Sequence, residues 1–314
     1  MPFEGIEKKV EVLLREGAPS LRALGREFWN GIVRRSDAEI IRLVSSRSLD
    51  AYLLSESSLF VSDRRMIMIT CGRTRLISGV AALLESVSAD DLDSLIYERK
   101  NENFPHLQPT TFLNDVSELR DILPGSAQTF GDPAGHHLSL FHLDRRITPA
   151  GDDQTLELLM YDLDPEVRKQ FHTGPDRTAQ SVRRAIDLDA VLPGFTWDDH
   201  LFEPAGYSLN GVRDDRYATI HVTPDNPGSY ASFEAGCPLA EGELEDLCAH
   251  LLAVFRPARY DVVLFRDRPP ATLPPRLGRP GTLEDRKLSC GYRVHFHHYE
   301  TGLAPEPAPE RSPS

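Results

Sequence analysis

The sequence predicts an α+β protein whose antiparallel sheets carry helices on their outer faces. Apolar residues alternate, or recur at helical spacing, in the same order in both halves of the chain. The pattern is β, β, α over 51–62, 65–70 and 75–88, then β, β, α, β over 217–223, 229–234, 241–255 and 259–266. This order lacks the regular strand-helix alternation of a doubly wound sheet. Its recurrence predicts an internal duplication.

Two further helices are predicted near the N terminus. Apolar residues from Ile6 to Leu14 fall at helical spacing, which predicts an amphipathic helix beginning just after Gly5. The run Ser36-Asp37-Ala38-Glu39 has a capping-box pattern and predicts a second helix continuing through Val44.

Composition is typical of a folded globular protein, with 40% hydrophobic and 26% charged residues. Residues 1–303 are expected to form a single domain. Residues 304–314, APEPAPERSPS, are rich in proline and polar groups and are expected to be disordered.

The net charge of -13 disfavours a general nucleic-acid binder, because an acidic surface repels phosphate backbones. A cationic small ligand suits this charge better, although acidity also serves solubility alone. The N-terminal run lacks the apolar core of a signal peptide, and no stretch approaches the roughly 18 to 20 apolar residues of a membrane span. The protein is therefore expected to be cytoplasmic, without membrane partners.

Neither cysteine nor histidine spacing predicts a metal site. Cys71, Cys237, Cys248 and Cys290 form no CxxC pair, so reduced cysteines are expected. The run 295–298 contains His295, His297 and His298, but no carboxylate or cysteine motif accompanies it, and adjacent strand residues face opposite ways.

The run Leu54–Phe60, LSESSLF, is an unusual strand because hydroxyl and carboxylate groups interrupt its apolar residues. In a continuous strand, Ser55 and Ser57 share one face while Glu56 and the following serine share the other. This pattern alone does not distinguish a solvated face from a reactive site.

Resemblance to a known family does distinguish them. The segment YLLSESSLFVS, followed by Thr70-Cys71-Gly72, resembles the processing region of the eukaryotic-type S-adenosylmethionine decarboxylases, which are pyruvoyl-dependent, self-processing proenzymes. Other matching segments follow in the family's order from residue 3 to about residue 300: Phe3-Glu4-Gly5-Ile6-Glu7-Lys8, Asp153-Gln154-Thr155-Leu156-Glu157, Phe202-Glu203-Pro204-Ala205-Gly206-Tyr207-Ser208-Leu209-Asn210, Thr219-Ile220-His221-Val222-Thr223-Pro224 and Tyr230-Ala231-Ser232-Phe233-Glu234.

The resemblance implies a four-layer αββα sandwich and self-cleavage between Glu56 and Ser57. In the family, the serine at the position of Ser57 attacks the preceding carbonyl to form an ester. Elimination then releases a β chain, here residues 1–56, and leaves an α chain, here 57–314, capped by a pyruvoyl group. That group acts as an electron sink by forming a Schiff base with the substrate amine. The product, decarboxylated S-adenosylmethionine, is the aminopropyl donor for spermidine and spermine synthesis.

Catalytic residues also follow from the resemblance. His221 matches the base that removes the α-proton of the ester, and Ser208 matches its partner in processing. Cys71 matches the donor that returns a proton to the substrate, and Glu4 and Glu7 match acidic active-site positions. Without the family's motifs, His221, Ser208 and Cys71 would be interpreted as structural.

Substrate-binding residues follow in the same way. Phe3 and Phe202 match two phenyl rings that sandwich adenine and can attract the sulfonium, and Leu54 and Glu56 also match substrate contacts. Asp225 replaces the family's usual ribose-binding glutamate. Its side chain is shorter by one methylene, so the carboxylate reaches about 1.5 Å less far, and a contact stretched to about 3.6 Å no longer counts as a hydrogen bond. This difference leaves open a pyruvoyl-dependent decarboxylase of arginine or ornithine. A catalytically inactive regulatory relative is another alternative.

An activator site is implied as well. Residues matching the acidic putrescine site of animal-type members are Glu11, Asp153, Thr155, Glu157 and Glu234. Animal-type members carry a lysine where Ile69 stands, whereas Lys9 occupies the position of an arginine that mimics putrescine in plant-type members. We therefore expect Lys9 to substitute partly for putrescine and activation to be weak. The alternative is a surface lysine on a helix. Family members occur as homodimers of processed units and as single units, so the oligomeric state stays open.

Overall fold

The computed structural model describes residues 3–267 and 278–302. Its sixteen strands form two eight-stranded antiparallel sheets. The first sheet contains β1 (Lys8–Leu14), β2 (Ile40–Ser45), β3 (Leu49–Leu54), β4 (Ser57–Ser62), β5 (Arg65–Thr70), β6 (Leu92–Lys100), β7 (Gly125–Gly131) and β8 (His137–Leu143). The second contains β9 (Thr155–Leu163), β10 (Thr196–Leu201), β11 (Tyr207–Arg213), β12 (Arg216–Thr223), β13 (Tyr230–Gly236), β14 (Pro257–Arg266), β15 (Arg279–Lys287) and β16 (Arg293–Glu300).

The two sheets have equivalent topology. Their strand orders are β2-β3-β4-β5-β1-β6-β8-β7 and β10-β11-β12-β13-β9-β14-β16-β15. Each strand of the first sheet thus occupies the same place as the strand eight numbers later in the second. This correspondence is the result expected from the predicted duplication.

Helices cover the outer faces of both sheets. They are α1 (Gly25–Arg35), α2 (Leu76–Leu84), α3 (Phe112–Ile122), α4 (Pro165–Arg168), α5 (Ala179–Ile186) and α6 (Glu241–Phe255). One apolar core joins the first sheet to α1–α3, another joins the second sheet to α4–α6, and Phe130 packs with Val263 and Phe296 between the sheets. The predicted four-layer αββα sandwich is confirmed.

The later predicted elements are also confirmed. Helix α6 spans the predicted 241–255, and α2 lies within 75–88. Strands β12, β13 and β14 cover the three predicted strands around α6.

The predicted N-terminal helix is wrong, because β1 occupies this segment. This strand pairs with β5 and β6 in the middle of its sheet, with helices packed on one face and the second sheet on the other, so both of its faces are covered. Lys8, Lys9 and Val10 are consecutive buried residues, so burial does not follow the two-residue period of a half-exposed strand.

The predicted helix after Ser36 is wrong too. Ser36 ends α1, where its hydroxyl donates to Ile32 O over 3.3 Å, and the next element is the edge strand β2. Residues 51–62 are not one strand either, because a turn at Ser55 and Glu56 separates β3 from β4.

The predicted disordered tail, residues 304–314, lies outside the described residues. Among those described, no helix is both long and apolar enough to cross a membrane.

Candidate active site

Ser57 is the first residue of β4, immediately after the turn that separates β3 from β4. Its φ of +127° lies in a region that residues with a side chain rarely adopt. Its hydroxyl is buried and makes no hydrogen bond to any residue that the structure describes. An exceptional backbone conformation and an unpaired buried hydroxyl together mark a strained, chemically available serine.

Cys71 holds the carbonyl that precedes Ser57. Its backbone N–H donates to Glu56 O over 3.0 Å, and its Sγ lies 3.6 Å from the same oxygen and 3.9 Å from Glu56 Oε2. Burial raises the pKa of the Cys71 thiol well above its usual range, and the Glu56 carboxylate adds to the rise. The thiol therefore stays protonated. Burial also raises the pKa of Glu56 to about 7.

A hydrogen-bond network joins this turn to the second sheet. Ser58 and Thr219 both donate to Asn210 Oδ1, over 2.6 Å and 2.9 Å. The Thr219 hydroxyl also lies 2.9 Å from His221 Nε2, and Ser208 Oγ lies 3.0 Å from His221 Nδ1. Ser208 and His221 are directly paired across β11 and β12. The predicted base and its partner are thus in contact.

His221 is neutral at physiological pH. Its imidazole is buried, and burial lowers its pKa to about 3, with the nearby Lys100 ammonium acting in the same direction. A neutral imidazole with one nitrogen bonded to a hydroxyl can accept a proton.

The segment containing Phe3 and Glu4 lies between the ends of the two sheets. Gly72 N–H donates to Glu4 O over 2.7 Å, which fixes the segment to the first sheet. Gly5 packs against Thr223 of the second sheet so closely that an added Cβ would lie 2.6 Å from the threonine side chain. Gly72 has a φ of +64°, and a Cβ there would approach the Glu56 carboxylate to 2.8 Å. Both glycines permit close packing beside the turn.

The two predicted acidic residues differ in their surroundings. Glu4 accepts hydrogen bonds from the N–H groups of Ile6 and Phe104, over 3.1 Å and 2.6 Å, so it also holds backbone. Glu7 accepts from Ser232 Oγ over 2.7 Å and from Tyr230 OH over 3.2 Å. Burial raises the pKa of both carboxyl groups.

The predicted substrate-binding side chains differ in how exposed they are. Phe3 is 45% exposed, and its ring packs beside Gly72. Phe202 is half-buried and contacts His200 edge to face. The Leu54 side chain, by contrast, is buried in the core that faces the helices. A substrate contact at Leu54 would therefore use its backbone, and the predicted contact stays a prediction.

Asp225 lies at the surface, on the loop after β12. Its carboxylate Oδ1 is 3.4 Å from His172 Nε2, and both side chains are substantially exposed. His172 is bridged through its backbone to Ala205, three residues after Phe202. The histidine thus connects the predicted ribose ligand to the segment that carries a predicted adenine contact.

Lys9 is at the centre of the predicted activator site. Its Nζ lies 2.7 Å from Glu157, 2.9 Å from Glu234 and 3.6 Å from Glu98, and the side chain is 1% exposed. The alternative of a surface lysine on a helix is wrong. Lys100 is a second buried ammonium, 3.0 Å from the other oxygen of Glu157. The pKa of Glu157 falls to about 2 because these two ammonium groups overcome the effect of burial.

The other two acidic residues of the predicted activator site, Glu11 and Asp153, are paired with a different cation, the Arg65 guanidinium. Arg65 lies 3.2 Å from Glu11 and 2.8 Å from Asp153, which also accepts a 2.6 Å hydrogen bond from Tyr292 OH. The cavity beside Lys9 and Glu11 has a volume of about 10 Å³, which is room for about one water molecule, whereas Arg65 and Asp153 border a separate cavity of about 500 Å³. The lining residues of the smaller cavity are Lys9, Glu11, Ile96, Glu98, Thr155, Phe265 and Tyr292.

A family model described as adenosylmethionine decarboxylase matches residues 1–294. This chain belongs to that family. S-Adenosylmethionine decarboxylase proenzymes are similar to it in Leishmania donovani (36% identity over 84% of this chain and 73% of theirs), Drosophila melanogaster (34%, 85% and 83%) and Xenopus laevis (35%, 84% and 83%). The crystal structure of a Trypanosoma brucei AdoMetDC-delta26 monomer has a TM-score of 0.60 and 26% identity, covering 77% of this chain and 98% of that one.

Membership of this family does not favour either alternative raised from the sequence, a decarboxylase of arginine or ornithine or a catalytically inactive regulatory relative. It also confirms the resemblance from which the site was predicted.

Several residues at the site were not predicted from the sequence. They are Ser58, Arg65, Glu98, Lys100, His172, Asn210 and Thr219. Asn210 and Thr219 lie inside quoted family motifs, so their polar character at buried strand positions was an available signal. The run Glu98-Arg99-Lys100 ends a strand with three consecutive buried charges, which indicates internal ion pairing. Arg65 and His172 had no comparable signal.

Proposed function

We propose that this chain is an S-adenosylmethionine decarboxylase proenzyme that cleaves itself between Glu56 and Ser57. Cleavage of one domain would yield a β chain of residues 1–56 and an α chain beginning with a pyruvoyl group made from Ser57. The observation that carries the proposal is the Glu56 carbonyl, held by the Cys71 N–H beside a buried Ser57 hydroxyl that has no hydrogen-bond partner among the described residues. The family and the neutral His221 support it.

The first step is an acyl shift within the turn. Ser57 Oγ attacks the Glu56 carbonyl carbon, the C–N bond breaks, and an ester forms as the nitrogen takes up a proton. Negative charge develops on Glu56 O, which already accepts the Cys71 N–H at 3.0 Å. That donor can stabilise the charge without reorganising. Leaving the φ of +127° would also release backbone strain.

The second step needs a base. His221 takes the α-proton of Ser57, the Cβ–O bond breaks, and Glu56 leaves as a carboxylate with dehydroalanine remaining. Water then converts dehydroalanine to the pyruvoyl group and releases ammonia. Ser208 supports this step by orienting the imidazole from 3.0 Å.

Once formed, the pyruvoyl group would supply the electron sink for decarboxylation. The raised pKa of Cys71 suits a thiol that must hold a proton until it is donated. Phe3 and Phe202 would bind the adenine, while Asp225 with His172 would bind the ribose. The shorter aspartate lies beside His172, whose Nδ1 donates to Arg168 O, so Nε2 of the same ring can accept a hydrogen bond from a ribose hydroxyl.

Mass spectrometry under denaturing conditions, with an assay of carbon dioxide release, tests the proposal. Two chains separated between Glu56 and Ser57, with a pyruvoyl mass on the larger, and release from S-adenosylmethionine are expected. Release from arginine or ornithine alone would instead support the other substrate class. One intact, inactive chain would support a regulatory relative.

Asp225→Asn should raise the KM for S-adenosylmethionine about ten- to a hundredfold with little change in kcat, because it removes a charged acceptor worth about 1.5 to 3 kcal/mol. Self-cleavage should proceed normally, since Asp225 lies at the surface and outside the processing network. Steady-state kinetics and gel analysis of the purified protein measure both effects. An unchanged KM would remove Asp225 from the binding site.

Lys9→Ala should create a dependence on putrescine that the wild-type enzyme lacks. The wild type is expected to respond less than about twofold, because Lys9, Lys100 and Arg65 already neutralise the carboxylates and the cavity beside Lys9 has a volume of only about 10 Å³. Loss of Lys9 leaves Glu157 and Glu234 underpaired, which costs several kcal/mol at a buried site. Activity without putrescine should fall at least about tenfold.

Putrescine at millimolar concentration should restore much of that activity. The matched control is Lys169→Ala, which removes an exposed lysine paired with Glu166 and should change neither activity nor the response. A strongly stimulated wild type, or a Lys9→Ala enzyme indifferent to putrescine, would show that Lys9 does not replace the activator.

A further inference from the structure

A cluster of His136, Asp261 and His298 lies between the sheets, separate from the processing network. Asp261 is on β14 and is fully buried. His298 is its direct partner on β16, so both side chains project from the same face. His136 comes from the first sheet, in the turn between β7 and β8. Three residues distant in the chain thus meet where the two halves of the fold are in contact.

The ligand-type atoms of the cluster converge. His298 Nδ1 lies 2.6 Å from Asp261 Oδ1, and His136 Nδ1 lies 3.5 Å from Oδ2. The atoms offered by the three residues all lie within 4.8 Å of one another. The two imidazole rings stack at 4.2 Å, so both present Nδ1 to the same carboxylate.

These distances are close enough for one divalent metal, and only one of the two imidazole contacts, from His298 Nδ1 to Asp261 Oδ1, is a hydrogen bond. Bonds of about 2.0 to 2.2 Å to histidine nitrogen and carboxylate oxygen place tetrahedral zinc ligands about 3.3 Å apart, and the observed separations of 2.6 Å and 3.5 Å lie on either side of that value. The buried His136 Nδ1 is too poorly aligned to count as hydrogen-bonded in the described structure. A metal would satisfy this nitrogen.

The surroundings provide an outer contact of the kind that metal sites use. Tyr161 OH donates to Asp261 Oδ2 over 2.9 Å, which orients the carboxylate. Both histidines are about one-tenth exposed, so an ion and a water ligand can reach the cluster from the solvent. Within the run predicted to bind no metal, His297 lies near Tyr299 and His295 near Asp285, so His298 alone joins this cluster.

We propose that His136, Asp261 and His298 bind one zinc-class divalent cation, with water as a fourth ligand. Two neutral imidazoles and one carboxylate carry a total charge of -1. With a divalent cation bound, the net charge of the site would be only +1. The ion would fasten the β7–β8 turn of the first sheet to β14 and β16 of the second. Its role is structural, because none of its ligands belongs to the processing network or the proposed substrate site.

Metal titration of the processed enzyme, purified without a histidine tag and treated with chelator, tests this site. Zinc should bind with a stoichiometry of one per chain by mass spectrometry of the metal. Cobalt(II) should give the intense visible absorption of a tetrahedral site, and zinc should raise the thermal midpoint. His136→Ala and His298→Ala should each weaken binding at least about tenfold and abolish the thermal shift.

His250→Ala is the matched control, because His250 is also partly buried but lies on α6 and contacts Ile186 O. It should bind zinc as the wild type does. Because Asp261 is fully buried and its variants are at risk of misfolding, the two histidine variants carry the test. Absence of stoichiometric zinc binding in the wild type, or zinc binding in both histidine variants as tight as in the wild type, would overturn the proposal.

Discussion

Ser57→Ala should leave the chain as one uncleaved polypeptide with no measurable decarboxylation. Alanine supplies no oxygen to attack the Glu56 carbonyl and no precursor of the pyruvoyl group, so both cleavage and catalysis are lost. The expected loss of activity is at least about 1000-fold, as for removal of an essential nucleophile. Folding should be retained, because the Ser57 hydroxyl makes no hydrogen bond to the described residues. Denaturing gels and intact mass measure the outcome.

Ser55→Ala is the control for this experiment. Ser55 lies in the same turn, and its hydroxyl accepts a hydrogen bond from Glu39 N–H over 3.0 Å. A variant that loses this contact tests whether general disturbance of the turn prevents cleavage. It should be cleaved fully and remain active. Cleavage of Ser57→Ala at the same bond, or an intact Ser55→Ala chain, would contradict the assignment of the nucleophile.

The fold class was predictable because the order of elements recurs, and the strand orders of the two sheets repeat it. Local assignment failed where burial overrides periodicity. β1 lies between two strands and beneath both a helix layer and the second sheet, so its apolar and charged residues are buried alike. Helical spacing of apolar residues in such a strand is coincidental, and a short segment offers no means of recognising this.

The reactive groups were predictable from motifs, whereas their electrostatic environment was not. The negative charge of the Glu157 carboxylate is balanced by the ammonium groups of Lys9 and Lys100, which lie 148 and 57 positions away in the sequence. Charge pairing across two sheets is a property of the tertiary structure. The same holds for the cluster around Asp261, since a run of histidines does not reveal a carboxylate on another strand.

His221→Ala should arrest processing after the first step, so that the ester accumulates. The acyl shift uses the turn and the Cys71 N–H, which this change leaves in place. Removal of the α-proton, however, loses its base and should slow by about 100-fold or more. The ester has the mass of the uncleaved chain, but neutral hydroxylamine should split it into residues 1–56, ending in a hydroxamate, and an α chain that begins with an unmodified serine.

The matched control, His250→Ala, should process normally, so hydroxylamine should release no hydroxamate of residues 1–56 from it. The pH dependence gives an independent check on His221. Because its pKa is lowered to about 3, the imidazole is already the free base throughout pH 5 to 8. Acidification across this range therefore should not protonate it, and the rate of ester elimination should stay constant. A rate that falls on acidification with a midpoint near 6.5, the value of a solvated histidine, would show that the base is a different, exposed group.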